Sequence, residues 1–148
     1  MTAGGAVLGK NTMQGINYWA VVVAAIVGYA AGALWYWGWS KPWMEAQGFT
    51  PESMKANQSP VPYLVAFAAN VVIAVMLAGL VGHLGIAGVT IRTGIISAAA
   101  VWLGFVVTTQ TVNYSFGKRP LKLLVIDSGH WLVVLLLQGG VIGFMGVG

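Results

Sequence analysis

Four stretches of about twenty mostly apolar residues run through this chain, the length a helix needs to cross a hydrocarbon layer about 30 Å thick. They cover residues 16–37, 62–81, 91–113 and 121–144. A backbone in lipid must satisfy its own hydrogen bonds, so spanning segments of this length are helices. The pattern predicts an all-α, polytopic membrane protein, with four transmembrane helices in an antiparallel bundle that forms one domain over residues 1–148. Composition points the same way: 58% of the residues are hydrophobic and 7% are charged, where a soluble domain carries roughly 25% charged residues. So few charges cannot cover a water-facing surface, and the apolar surface must meet lipid.

The formal net charge is +4. The lysines and arginines are scattered between apolar blocks instead of clustered, so they read as topology signals and not as a nucleic-acid footprint. Lys41, Lys55, Lys118, Arg119 and Lys122 fall on one side of the predicted bundle, and Lys10 and Arg92 on the other. This bias places the first and third loops in the cytoplasm and both termini outside. The first apolar run is too long for a signal-peptide core and is read as a retained helix. It ends in Trp35-Tyr36-Trp37-Gly38-Trp39; Trp35, Trp37, Trp39 and Trp43 are expected to form an interfacial aromatic anchor. Residues 38–61 are the longest predicted loop. Within it, Thr50-Pro51-Glu52 carries an N-cap residue, a proline at the first helical position and a first-turn acid, which predicts a short helix from Pro51 to Ala56 at the cytoplasmic surface.

Helices in lipid associate through small residues and interhelical hydrogen bonds. Four-residue spacing suggests a seam on each span: Ala24, Gly28 and Gly32; Ala66, Asn70, Ala74, Ala78 and Gly82; Ala100, Gly104 and Thr108; Gly139 and Gly143. Short connections predict the second span beside the third, and the third beside the fourth.

An ionisable residue inside a spanning helix is expensive to desolvate and is a functional candidate. Asp127 is the acid in this position. His130 lies one turn deeper on the same face, and Gln138 returns to within about 20° of Asp127. Asn70, Tyr36, Thr108 and Thr109 are expected on the same side of the membrane, so all four spans contribute polar groups to one leaflet, and Arg119 is a candidate partner for Asp127 from near the interface. Two readings of this cluster stay open. It is structural, with Asp127 held by cross-helix donors, or it is a small polar pocket in which an Asp–His pair exchanges protons near neutral pH. Other chemistry is poorly served. There are no cysteines, so disulfides, thiolate metal sites and cysteine nucleophiles are excluded. His83 and His130 are predicted on opposite sides of the membrane, so no metal site is expected. No phosphate loop or other cofactor motif occurs.

Asn17, Gly32-Ala33-Leu34-Trp35-Tyr36, Lys41-Pro42-Trp43-Met44, Thr108-Thr109, Phe116, Arg119 and Ile126-Asp127-Ser128-Gly129-His130 together resemble the small bacterial membrane proteins of the domain of unknown function 1761 family. The resemblance spans residues 16–144, and its most specific parts are the Gly-x-x-Trp-Tyr and Asp-x-Gly pieces. It implies a four-helix membrane architecture and carries no activity with it. The expected function is a non-enzymatic bundle of the bacterial inner membrane, without a cofactor, surrounded by the lipid bilayer and associating with itself or with another membrane protein. The alternative is a small transporter or channel using the polar cluster around Asp127. A membrane enzyme acting on a lipid or quinone is a third reading, and it lacks a second reactive acid, a cysteine or a metal cluster.

Overall fold

The computed structural model describes residues 16–85 and 88–146. Lys10, counted above among the outer charges, lies outside the described residues. Among the described residues, four helices are long and apolar enough to cross a membrane: Tyr18–Gly38, Val61–Gly82, Ile91–Phe116 and Leu121–Met145. In chain order the helices are α1 (Tyr18–Gly38), α2 (Ser40–Gln47), α3 (Pro51–Ala56), α4 (Val61–Gly82), α5 (Ile91–Val101), α6 (Thr108–Phe116) and α7 (Leu121–Met145). A π-helical segment, Trp102–Val107, joins α5 to α6 within the third span.

The ends of these helices follow local chemistry. The Asn17 side chain caps α1 by accepting from the Ala20 N–H at 3.2 Å, and its amide donates to the Met145 carbonyl at the end of α7. Thr50 and Ser53 form a reciprocal capping box at the start of α3, beside Pro51 at the first helical position. Thr90 and Thr93 do the same for α5. Helix α2 was not expected. Pro42 sits in its first turn, where a proline's missing N–H leaves no bond unmade, so the sequence tolerates a helix that its polarity does not advertise.

Helix α7 is the hub. It packs most extensively on α5 and α1, and also touches α4, α2 and α6. Its buried face includes Leu123, Ile126, Val134, Leu135, Gly139, Ile142 and Gly143. The α5–α7 contact is set by backbone approach: a Cβ on Gly139 would overlap the Gly94 carbonyl oxygen, and one on Gly143 would overlap that of Thr90. Helix α4 packs mainly on α1 and only marginally on α5, so the expected pairing of the second and third spans is a minor contact. The short connection brings those helices close, but the glycine-lined surface of α7 takes α5. The α4 seam does face inward, with Asn70, Ala74 and Ala78 buried.

The third span departs from expectation. Its buried residues are Gly94 and Ala98, whereas Ala100, Gly104 and Thr108 are exposed. Contact with Gly139 selects a nearly opposite face, two residues or about 200° round the helix from the anticipated one. Gly139→Ala should therefore destabilise the protein by about 1–3 kcal/mol, because the methyl meets backbone that cannot yield. Gly79→Ala on α4 should leave stability unchanged, since a Cβ there meets nothing within 4 Å. Thermal melts of the two variants in the same detergent, read by circular dichroism, compare them directly.

Candidate functional site

Asp127 lies in the second turn of α7, and its residue is 8% exposed. Its carboxylate accepts three hydrogen bonds. Oδ1 accepts from the Tyr36 hydroxyl at 2.6 Å and from Trp43 Nε1 at 3.1 Å, and Oδ2 accepts from the Tyr114 hydroxyl at 2.6 Å. The donors come from α1, α2 and α6, so one side chain joins four helices. Hydrogen bonds to a carboxylate are shorter and stronger than neutral ones, and the two hydroxyl distances fall in that range.

Two further tryptophans bind the backbone of the same turn. Trp35 Nε1 donates to the Ile126 carbonyl at 3.0 Å, and Trp102 Nε1 donates to that of Ser128 at 2.7 Å. Gly129 makes room for the first, because a Cβ there would stand 2.9 Å from the Trp35 ring. The π-helical segment explains how Trp102 and Tyr114 both reach α7 from one span. On an unbroken α-helix, twelve residues at 100° each would place Tyr114 about 120° from Trp102. The extra residue taken up by i→i+5 bonding returns about 100° of that.

The outer edge is latched through α2. Arg119 donates to Gln47 Oε1 at 2.7 Å, and Lys122 pairs with Glu45 at 3.2 Å. Both partners of that ion pair are exposed, so it adds little stability.

The structure redistributes the residues expected around Asp127. Tyr36 binds it. His130 lies beside Tyr36, with ring centroids 4.8 Å apart, but makes no hydrogen bond to Asp127. Its Nδ1 is buried without a partner among the described residues. Asn70 belongs to a separate buried pair: Gln138 Nε2 donates to Asn70 Oδ1 at 3.1 Å and to its carbonyl at 3.2 Å, and Asn70 Nδ2 donates to the Ala66 carbonyl at 2.9 Å. Gly28 admits both amides, since a Cβ there would meet each of them. Thr108 and Thr109 are exposed and return their hydroxyls to the carbonyls of Gly104 and Phe105 in the preceding turn, the ordinary resting place of a threonine in a spanning helix. Arg119 is drawn outward to Gln47.

The four anchor tryptophans divide. Trp37 and Trp39 are exposed, as an interfacial anchor requires, whereas Trp35 and Trp43 spend their indole N–H groups on α7. Tyr114 and Trp102 were missed as site residues, and Trp43 was expected as an anchor and not as a donor to Asp127. The signal for Tyr114 was its place thirteen residues before Asp127 across a tight hairpin.

Beside this cluster is a half-open cavity of about 640 Å³ between α1, α4 and α7, bordered by α2 and Met54 of α3. Its walls include Tyr29, Tyr36, Trp43, Tyr63 and Trp131, with Asn70 and His130 among the polar groups that line it. No group of three or more metal-ligating side chains occurs among the described residues.

A family model described as "Protein of unknown function (DUF1761)" matches residues 19–143. No curated protein and no solved structure matches the chain.

Replacing Asp127 with Leu leaves three donors unpaired. It should lower stability in detergent by on the order of 3 kcal/mol or more. Asp127→Asn should cost less, because its one amide oxygen still accepts from some of the donors. Chemical denaturation followed by tryptophan fluorescence ranks the two, and equal stability of Asp127→Leu and the wild type would mean that the three donors are idle.

Proposed function

We propose that this chain, which belongs to the DUF1761 family, is a non-enzymatic multi-pass protein of a bacterial inner membrane that self-associates through its third span. The observation that carries this reading is the surface of α5, the π-helical segment and α6. Only Gly94 and Ala98 are buried along that whole length. Ala100, Gly104 and Thr108 point outward at four-residue spacing, and small residues at that spacing let two helices approach closely in lipid. The transport reading has less to stand on. Asp127 is occupied by three donors from its own chain, and His130 is not bonded to it.

The absence of cysteine makes self-association easy to read. Cysteine introduced at Gly104 should crosslink two copies in native membranes, whereas cysteine at Val72, on the exposed face of α4, should not. Gly104→Leu should shift detergent-solubilised protein towards the monomer in light scattering. A monomer for both wild type and variant, with no crosslink at residue 104, overturns the reading.

Both termini are proposed to face the periplasm. In support, α2 and the hairpin before α7 lie at one end of the molecule, where Glu45 meets Lys122 and Gln47 meets Arg119. The basic residues of the first and third loops thus share a side, which the positive-inside rule makes cytoplasmic. Alkaline phosphatase fused at either terminus should be active, and green fluorescent protein fused there should be dark. The opposite pattern reverses the orientation.

A further inference from the structure

The cavity between α1, α4 and α7 has a composition that selects among ligands. Its volume, about 640 Å³, suits one small molecule. Among the described residues that line it there is no Asp, Glu, Lys or Arg. A charged headgroup would therefore have no counter-ion in the cavity, and burying it there unpaired is strongly unfavourable. The polar groups also stand in an unusual place. Pro62 and Tyr63 line the cavity in the first turn of α4, and Asn70 lines it nine residues beyond Val61, roughly 13 Å further along the helix. His130, one turn past Asp127 along α7, lines it too. A phospholipid keeps its polar end at the membrane surface, whereas this cavity offers hydrogen-bonding groups well inside it.

His130 supplies the second observation. It is 8% exposed and lines the cavity, and its Nδ1 is enclosed without a hydrogen-bond partner among the described residues. A buried polar ring without a partner is uncommon, because nothing compensates the loss of its hydration. The ring is held in place by its neighbours, with its centroid 4.8 Å from that of Tyr36 and 4.7 Å from that of Trp131. Gly32 is open to it, since a Cβ at that position would stand 2.6 Å from His130 Nε2. With Nδ1 enclosed, the ring nitrogen left to donate to a neutral acceptor is Nε2, which stands beside Gly32 on the wall of the cavity.

We propose that this cavity binds one neutral, membrane-soluble ring compound of the quinone class, with a ring carbonyl accepting a hydrogen bond from His130 and the ring lying against Tyr36, Trp43 and Trp131. A flat ring suits aromatic walls, its carbonyl suits an unpaired donor, and its lack of charge suits a lining without ions. An apolar tail on the ring leaves through the open side of the cavity towards lipid. This site depends on the membrane placement of the bundle and is independent of self-association.

The test uses the full chain in detergent micelles, titrated with decylubiquinone in a calorimeter. Binding should saturate at one molecule per chain. His130→Phe keeps a ring of similar size and removes the donor; affinity should fall about tenfold or more. Ala66→Phe fills the cavity from α4 and should abolish saturable binding. Neither residue donates to the Asp127 carboxylate, so wild-type melts by circular dichroism are expected for both, and one folded variant is enough to decide. Dioctanoylglycerol, neutral and without a ring, should not compete. Unsaturable uptake equal to that of empty micelles overturns the proposal, as does unchanged affinity in a folded variant. Displacement of decylubiquinone by an equal concentration of dioctanoylglycerol also overturns it, and assigns the cavity to acyl lipids.

Discussion

A carboxyl group in the interior of a helical bundle has to be satisfied by the bundle, and the arrangement around Asp127 follows from that requirement. A carboxylate facing hydrocarbon is unfavourable by on the order of 3 kcal/mol even on the mildest scale. Here the carboxylate is met by Tyr36, Trp43 and Tyr114, which belong to three other helices. The consequence is geometric as much as energetic. Trp43 can reach Oδ1 only if α2 folds back against α7, and Tyr114 can reach Oδ2 only if α6 is rotated correctly. The indole donors of Trp35 and Trp102 then bind the carbonyls on either side of Asp127, which fixes the same turn of α7 from two directions.

Away from that turn, the packing is governed by where side chains are missing. Gly94, Gly139 and Gly143 let α5 and α7 touch backbone to backbone, and Gly28 admits the Asn70–Gln138 pair between α1, α4 and α7. Close approach at one end of the third span and the Tyr114 bond at the other impose two different helical phases. The π-helical segment between Val101 and Thr108 reconciles them by absorbing an extra residue. The irregular stretch thus answers to contacts at both of its ends.

Much of this was legible in the sequence, and the limits have physical reasons. Apolar length marked the four spans to within a few residues, because lipid imposes that length directly. Thr50-Pro51-Glu52 marked α3 because capping is local. The five-member series on α4 identified its inward face. Asp127 was conspicuous as an acid among apolar neighbours, but its partners were not. Trp43 lay in a polar stretch that read as loop, and a tryptophan beside a membrane span has an ordinary interfacial explanation. Tyr114 fell just beyond the predicted end of its helix, and a constant 100° per residue would have pointed it elsewhere. The same regular phase made Ala100, Gly104 and Thr108 look like an internal seam, when contact with Gly139 turns Gly94 and Ala98 inward instead.

The most direct measure of the account is the coupling between Asp127 and the tyrosine that the π-helical segment delivers to it. A double-mutant cycle of Asp127→Leu and Tyr114→Phe, with unfolding free energies measured in one detergent, isolates that pair from the losses each substitution causes alone. A bond that holds α6 to α7 predicts a coupling energy of about 1 kcal/mol or more between the two substitutions. Strictly additive effects would contradict it, and would mean that the two side chains stand near one another without holding the fold together.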